Sequence, residues 1–319
     1  MTTTPRNEPV VRLLTMNLEF DGGADTGGRP PQRWHQAHEL IRSRRPDLLL
    51  RQEMTYSHDS HHRRFHAAER ALGMRGFLGT VGLGRNPTGM FVREETFEVH
   101  RHVIHPVHPW RTPPTHSVLR LRDAPEVDII ALSWHFAFNS PRGRERETDE
   151  VLAYADKTNQ GAAFIGGGDC NEPPNPEGET VPPIDWDTVT DRLHMTHRTR
   201  HDPATGRRIA CTYLDDTLTA AELRDPARHA AHALNQPDSL DATAGHGKPQ
   251  QGGPRRIDRI YLDQRLVDAV VDVTVVDTTG ISDHHAVEVV LSRRRMAEAL
   301  RLIASYRASP LVPTPEEAL

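Results

Sequence analysis

Five short polar clusters, each closing an apolar run, hold most of the residues in this chain that could do chemistry. They are Asn17, Gln52-Glu53, His135, Asp169-Cys170-Asn171 and Asp283-His284, with Asp258 inside a sixth run. An imidazole exchanges a proton near neutral pH, and a carboxylate can hold a hard cation or orient a neighbouring ring. Ile281-Ser282-Asp283-His284-His285 combines both groups at the junction of two Val-rich segments. Each cluster alone has an ordinary explanation. Asn17 could cap a loop, Glu53 could be a surface charge, Gly-Asp-x-Asn is a common turn, and Asp258 could pair with Arg255, Arg256 or Arg259. Together at strand ends they point to one site, because rigid scaffolds present chemistry on the loops at their edges.

The elements that must position these residues follow from periodicity. Residues 10–20 (VVRLLTMNLEF) read as a strand, a Gly-rich loop covers 21–31, and 32–44 has helical spacing with Trp34, Ala37, Leu40 and Ile41 on one face. Pro46 stops that helix before a short buried strand at 47–51. Helical spacing returns at 57–72. Short strands follow between 76 and 99, then at 117–121 and 127–134, a charged helix at 144–157 and a buried strand at 162–166. Residues 185–193 read as helical, 254–263, 267–277 and 286–291 as strands, and 293–306 as an amphipathic helix. Strands alternating with helices imply an α/β fold. With no clear linker, residues 10–306 are expected to form one domain, with 194–253 a loop-rich insertion or lid. Residues 1–9 and 307–319 are expected to be disordered.

Composition narrows the function classes. The 319 residues carry a net charge of −5, so no global basic field drives binding to nucleic acid. Lys occurs only at positions 157 and 248, leaving Arg to supply the positive charge. Two cysteines exclude a disulfide framework and a Cys-rich zinc site. No run approaches about 18 apolar residues and the polar start lacks a signal-peptide plan, so a cytoplasmic protein with no membrane contact is expected. His58, His62 and His66 fall four apart, but Arg63 and Arg64 between them argue for a solvated face. His102, His105 and His108 stand in a Pro-interrupted stretch expected at the surface or substrate rim.

In order along the chain, TMN (15–17), RQE (51–53), WHF (134–136), GDCN (168–171), RIDRI (256–260) and SDHH (282–285) resemble the motifs of the endonuclease/exonuclease/phosphatase superfamily. The resemblance implies a DNase I-like four-layer α/β sandwich, with two mixed β-sheets face to face and helices outside. It further implies that Glu53, with Asn17 and Asp283, holds Mg²⁺ or Mn²⁺. Asp169 would orient or deprotonate the attacking water, and Asn171 would hold a phosphate oxygen. His284, oriented by Asp258, would stabilise the transition state, with His135 opposite. Two departures stand out: Cys170 replaces a commonly apolar or aromatic residue, and Arg259 replaces a common Tyr where it could add a phosphate contact. The Arg-x-x-Gln pattern after the histidine is met only weakly, by Arg146-x-x-Asp149.

The expected activity is metal-assisted hydrolysis of a phosphodiester or phosphomonoester in a nucleotide-like or other small phosphorylated substrate. A structure-selective DNA nuclease or DNA-end phosphodiesterase is the alternative, with nucleic acid as partner. A catalytically idle binding module is the alternative of another class, and retention of Glu53, Asp169 and His284 argues against it. An acyl hydrolase would need a GxSxG elbow, which the chain lacks.

Overall fold

The computed structural model describes residues 8–84 and 86–308. One six-stranded sheet is built, in spatial order, from β13 (Val270–Val276), β14 (Ala286–Ser292), β1 (Val10–Asn17), β2 (Leu48–Gln52), β4 (Gly89–Val92) and β3 (Arg75–Leu78). The other runs β11 (Leu223–Arg224), β12 (Asp258–Asp263), β8 (Ala163–Asp169), β7 (Ala124–His135), β6 (Thr115–Leu121) and β5 (Phe97–Val103). Both are mixed: β1 and β2 are parallel in the first and β7 and β8 in the second, while their other neighbours are antiparallel.

Alternation along the strands sorts side chains between layers. Leu13, Leu48, Leu50, Met90, Ile129, Ala131, Ile165, Ile260 and Val289 form the core between the sheets. Leu14, Met16, Leu49 and Phe91 face outward onto α1 (Gln32–Arg44) and α2 (Arg63–Leu72), through Trp34, Ala37, Ile41, Phe65 and Ala68. On the other side Ile130, Leu132, Trp134, Phe164 and Tyr261 meet α3 (Pro141–Ala155) and α5 (Tyr213–Ala220). The result is the expected four-layer sandwich. Near the site a polar bridge joins the sheets: Thr15 Oγ1 donates to Gln52 Oε1 (3.3 Å), Gln52 Nε2 to Ser133 Oγ (3.3 Å), and Ser133 Oγ to the Arg51 carbonyl (3.1 Å).

Several local expectations change. In 57–72 only Arg63–Leu72 is helical, because Ser60, His61 and His62 adopt left-handed φ. His58 bonds the Gly79 carbonyl and His66 pairs with Glu69, so these rings serve local structure. Residues 185–191 are irregular apart from a turn at 186–188, and helix α4 (Arg192–Arg198) starts only where Asp191 caps it by accepting from His194 N–H. The stretch 194–253 contains more regular structure than a loop-rich insertion. After α4 come the β9 (Thr199–His201) and β10 (Arg208–Ala210) hairpin, α5, edge strand β11 and α6 (Pro226–Ala233), which Pro226 and the Asp225 cap start. These pieces are too short for periodicity to reveal, and buried ion pairs tie them down, among them Arg228 with Asp215 and Arg256 with Asp225. His105 is buried against His116, Trp110 and Tyr154 rather than lining a rim.

Residues 1–7 and 309–319 of the expected disordered ends lie outside the described residues. Pro9 accepts from Arg293 N–H (3.0 Å) and Glu8 from Ser292 Oγ (2.8 Å), while α7 (Arg293–Ala308) carries the chain through 307 and 308. Among the described residues no helix is long and apolar enough to cross a membrane.

Candidate active site

The strand ends expected to converge do so, and register explains how. Asp169, the last residue of β8, is the direct partner of His135 at the end of parallel β7 and of Asp258 at the start of antiparallel β12. Asp258 therefore reaches the same edge as the C-terminal strand ends although it opens its own strand. On the facing sheet, Asn17 and Gln52 are register partners at the ends of β1 and β2, and Glu53 follows directly. Asp283 and His284 lie in the β13–β14 connection, which antiparallel pairing of β14 with β1 brings back to Asn17; Ser282 Oγ donates to the Asn17 carbonyl (2.8 Å).

Backbone geometry prepares these positions. Gly168 has φ +146, and a Cβ there would lie 2.0 Å from the Trp134 carbonyl and 2.8 Å from Gln52 Nε2, so only glycine lets β8 approach β7 before Asp169. Glu53 (φ 57), Phe20 (φ 49), Asp21 (φ 51) and Asn171 (φ 53) are left-handed without being glycine, a clustering found at functional sites. The turn at Phe20 aims its N–H at Glu53 Oε2 (2.9 Å). Behind that turn Asp21 is buried between Arg51 and Arg64; burial outweighs both guanidiniums and lifts its carboxyl to about 6.

The side chains form two linked groups. Asn17 Nδ2 donates to Asp169 Oδ2 (3.2 Å) and approaches Glu53 Oε1 (3.4 Å). Asp169 Oδ1 accepts the Asn171 N–H (2.7 Å), and His135 Nε2 stands 3.6 Å from its Oδ2. In the second group His284 Nδ1 meets Asp258 Oδ2 at 2.8 Å, which also accepts from Thr243 Oγ1 (2.8 Å). Thr243 Oγ1 in turn accepts from the Ile257 and Asp258 N–H groups (3.0 Å each). Burial alone would lower the His284 pKa, but Asp258, followed by Asp169 and Asp283, raises it to about 10. Asp258 thus favours the protonated form of His284. One ligand atom each of Asp169, Asp258 and His284 lies within 4.8 Å of the others.

His284 Nδ1 and Asp258 Oδ2 are taken up by each other, and Thr243 occupies the same oxygen, so this trio reads as a proton-handling and charge-stabilising unit. A hard cation fits better beside Glu53 and Asn17, where Asn17 Oδ1 is buried without a protein partner and the donors are oxygens. Asp283, expected beside them, shares no hydrogen bond with either. Its Oδ2 is held by Lys248 Nζ (2.8 Å), and although burial would raise its pKa, His284 and Lys248 lower it.

Three cations at the site were not read from the sequence. Arg198 Nη2 donates to Asn171 Oδ1 (2.7 Å), while Asn171 Nδ2 donates to the Phe136 carbonyl (2.9 Å); this fixes the amide's orientation and leaves one N–H free. Burial first, then Arg144, lower the Arg198 pKa to about 9, although Asp169 opposes this. Arg255 is buried and bears charge toward Asp169, Asp258 and Asp283. Lys248 is one of only two lysines in the chain, and that rarity was its sole signal. The helical pair after the histidine is Arg144 and Glu147. Arg144 Nε bonds Glu172 (2.9 Å), and Glu147 accepts from the Ala137 and Arg111 N–H groups (2.7 Å each). Arg259 cannot touch a phosphate at this edge. It alternates with Asp258 onto the opposite face of β12, fully buried above the Tyr261 ring. Cys170 also packs inside, where burial pushes its thiol up to about 12.

The profile of the endonuclease/exonuclease/phosphatase family matches residues 14–284. No curated protein matches the chain. Among solved structures, an AP endonuclease from Archaeoglobus fulgidus aligns with a TM-score of 0.60 and 14% identity, covering 88% of this chain and 99% of that one. A 3′ phosphatase, NExo from Neisseria bound to a product DNA hairpin, aligns at 0.57 and 18% identity, covering 88% and 98%. Truncated TDP2 from Caenorhabditis elegans aligns at 0.54 and 17%, covering 89% and 97%. These likenesses are of fold, and the profile match spans every motif from Asn17 to His284: the chain belongs to the endonuclease/exonuclease/phosphatase family.

Proposed function

We propose that the protein is a divalent-metal phosphoesterase acting on a nucleotide-like or other small phosphorylated substrate. The observation that carries this reading is the Asp258–His284 pair and Asp169 set against Asn17 and Glu53 across the top of the two sheets. Glu53 and Asn17 would hold Mg²⁺ or Mn²⁺, which supplies charge neutralisation to the phosphoryl oxygens. Asp169, steadied by Asn17 and the Asn171 N–H, orients the attacking water and takes its proton. Asn171 offers its free N–H to a non-bridging oxygen, and Arg198 keeps the amide turned that way. His284, charged by Asp258, places a cation where negative charge builds up, and His135 faces the same phosphate from the β7 side. Lys248 and Arg255 balance the carboxylates around the site.

A DNA-end phosphodiesterase is the second reading. It is favoured by two exposed aromatics, Phe20 and Phe138, each three residues beyond a site residue, with Arg111 4.7 Å over the Phe138 ring. The test is turnover of bis-p-nitrophenyl phosphate and p-nitrophenyl phosphate with Mg²⁺, Mn²⁺ or EDTA, using wild type and His284→Ala. Metal-dependent turnover lost in the variant is expected, and turnover unaffected by EDTA or by the substitution overturns the proposal. A hairpin oligonucleotide ending in a 3′-p-nitrophenyl phosphodiester and cleaved faster than the corresponding mononucleotide diester would move the assignment to the second reading.

A further inference from the structure

A cavity of about 510 Å³ adjoins the site and is unused by the chemistry above. Its wall begins at Pro173, two residues beyond Asn171, and continues through the Pro-rich loop to Ile184 and Trp186; the β9–β10 hairpin supplies the opposite wall through Ile209 and Ala210. Two links join it to the catalytic edge. Arg255 lines the cavity and bears charge toward Asp169, Asp258 and Asp283. Trp186 stacks on His194 (6.4 Å between centroids, 26° between planes), which lies beside Arg198 and Arg255.

The lining describes an occupant. Its surface is mainly apolar, and its size falls in the range of about 300–1,000 Å³ of small-molecule sites, not that of a groove for a duplex. Of its arginines, Arg256 is neutralised by Glu179 and Asp225, and Arg207 by Asp187. Arg200 and Arg208 make no ion pair among the described residues, against one unpaired wall carboxylate, Asp185, and Arg255 faces the site carboxylates, so the lining carries more positive than negative charge around its apolar surface. We infer that the cavity is the subsite for the organic side of the substrate, an apolar ring-bearing group esterified to the phosphate held at Asn171 and His284. This rests on the phosphoesterase reading. Arg255 stands at the junction and contacts the anion from the cavity side.

Calorimetric titration of the full chain in magnesium buffer with 1-naphthylphosphonate and with methylphosphonate tests this, because both present the same anion and only one fills the cavity. The naphthyl compound should bind about ten- to a hundredfold more tightly, since burying the ring outweighs the cost of ordering it. Ile209→Glu on one wall and Ala210→Phe, which fills the space, should each bring the naphthyl-to-methyl ratio close to one. Equal affinities for the two compounds in wild type would overturn the cavity assignment and leave the phosphate site standing. Failure of both to bind would overturn the phosphoesterase reading and the subsite with it. A ratio that survives both substitutions would place the ring elsewhere and overturn the subsite alone.

Discussion

Asp258→Asn removes one negative charge while keeping the side chain's shape. Asp258 Oδ2 accepts from His284 Nδ1 and Thr243 Oγ1, both at 2.8 Å, and the residue is 1% exposed, so solvent does not screen it. Two unit charges about 4 Å apart interact by ~4 kcal/mol at an effective dielectric near 20. Loss of that attraction lets burial pull the His284 pKa down from about 10 toward the neutral range, with Asp169 and Asp283 still opposing it. Above about pH 8 the ring is then mostly uncharged, and the cation facing the transferred phosphoryl group is gone. A loss of about 3–4 kcal/mol of transition-state stabilisation corresponds to a fall in kcat of roughly 10²–10³-fold. KM should change much less, because the phosphate retains Asn171 and Arg255. Initial rates with bis-p-nitrophenyl phosphate across pH 5.5 to 9 (about the accessible range) would also show the variant recovering as pH falls and His284 is protonated. A variant within about threefold of wild-type kcat at every pH, with an unchanged melting temperature, would refute a charged His284 as the source of rate.

The remaining predictions concern metal, backbone and acid stability. Glu53→Gln should abolish the rise in melting temperature produced by Mn²⁺, which for wild type at about a hundred times Kd corresponds to ~2.7 kcal/mol; an equal rise in the variant would place the cation elsewhere. Gly168→Ala should destabilise by about 3 kcal/mol or more in urea unfolding, because its Cβ would meet the Trp134 carbonyl at 2.0 Å; a change below about 1 kcal/mol would mean the strand relaxes freely. Asp215 accepts from Arg228 and Tyr261, and although burial raises its pKa, Arg259 and Arg228 bring it from 3.8 to about 2. With a folded pKa below the unfolded one, its contribution of roughly 2–3 kcal/mol is present above pH 4 and lost as pH falls through about 2. Urea titrations of wild type and Asp215→Asn between those limits should therefore converge, and parallel pH dependence in the two would refute the assignment.

The sequence by itself determined the α/β elements and the chemical inventory, and the layered arrangement entered only through the family resemblance. Period-two runs such as 10–17 and the 3.6-residue spacing of Trp34, Ala37 and Ile41 reflect burial on one face, a local property that survives in the linear order. Asn17, Glu53, His135, Asp169 and His284 were legible because each interrupts an apolar run at its end, where a buried strand meets an open edge. Only the tertiary structure decided which partners those residues have. Lys248, Arg198 and Arg255 stand in irregular segments without periodicity, and they reach the site only because the facing edges of two sheets bring distant loops together. Neighbours in sequence could also part company: Asp258 enters the site while Arg259 is buried on the far side, because successive residues of a strand point to opposite faces. The short helices of 194–253 are stabilised by ion pairs with residues elsewhere in the chain, Arg228 with Glu179 and Asp225 with Arg256, a long-range cause that leaves little local pattern to read.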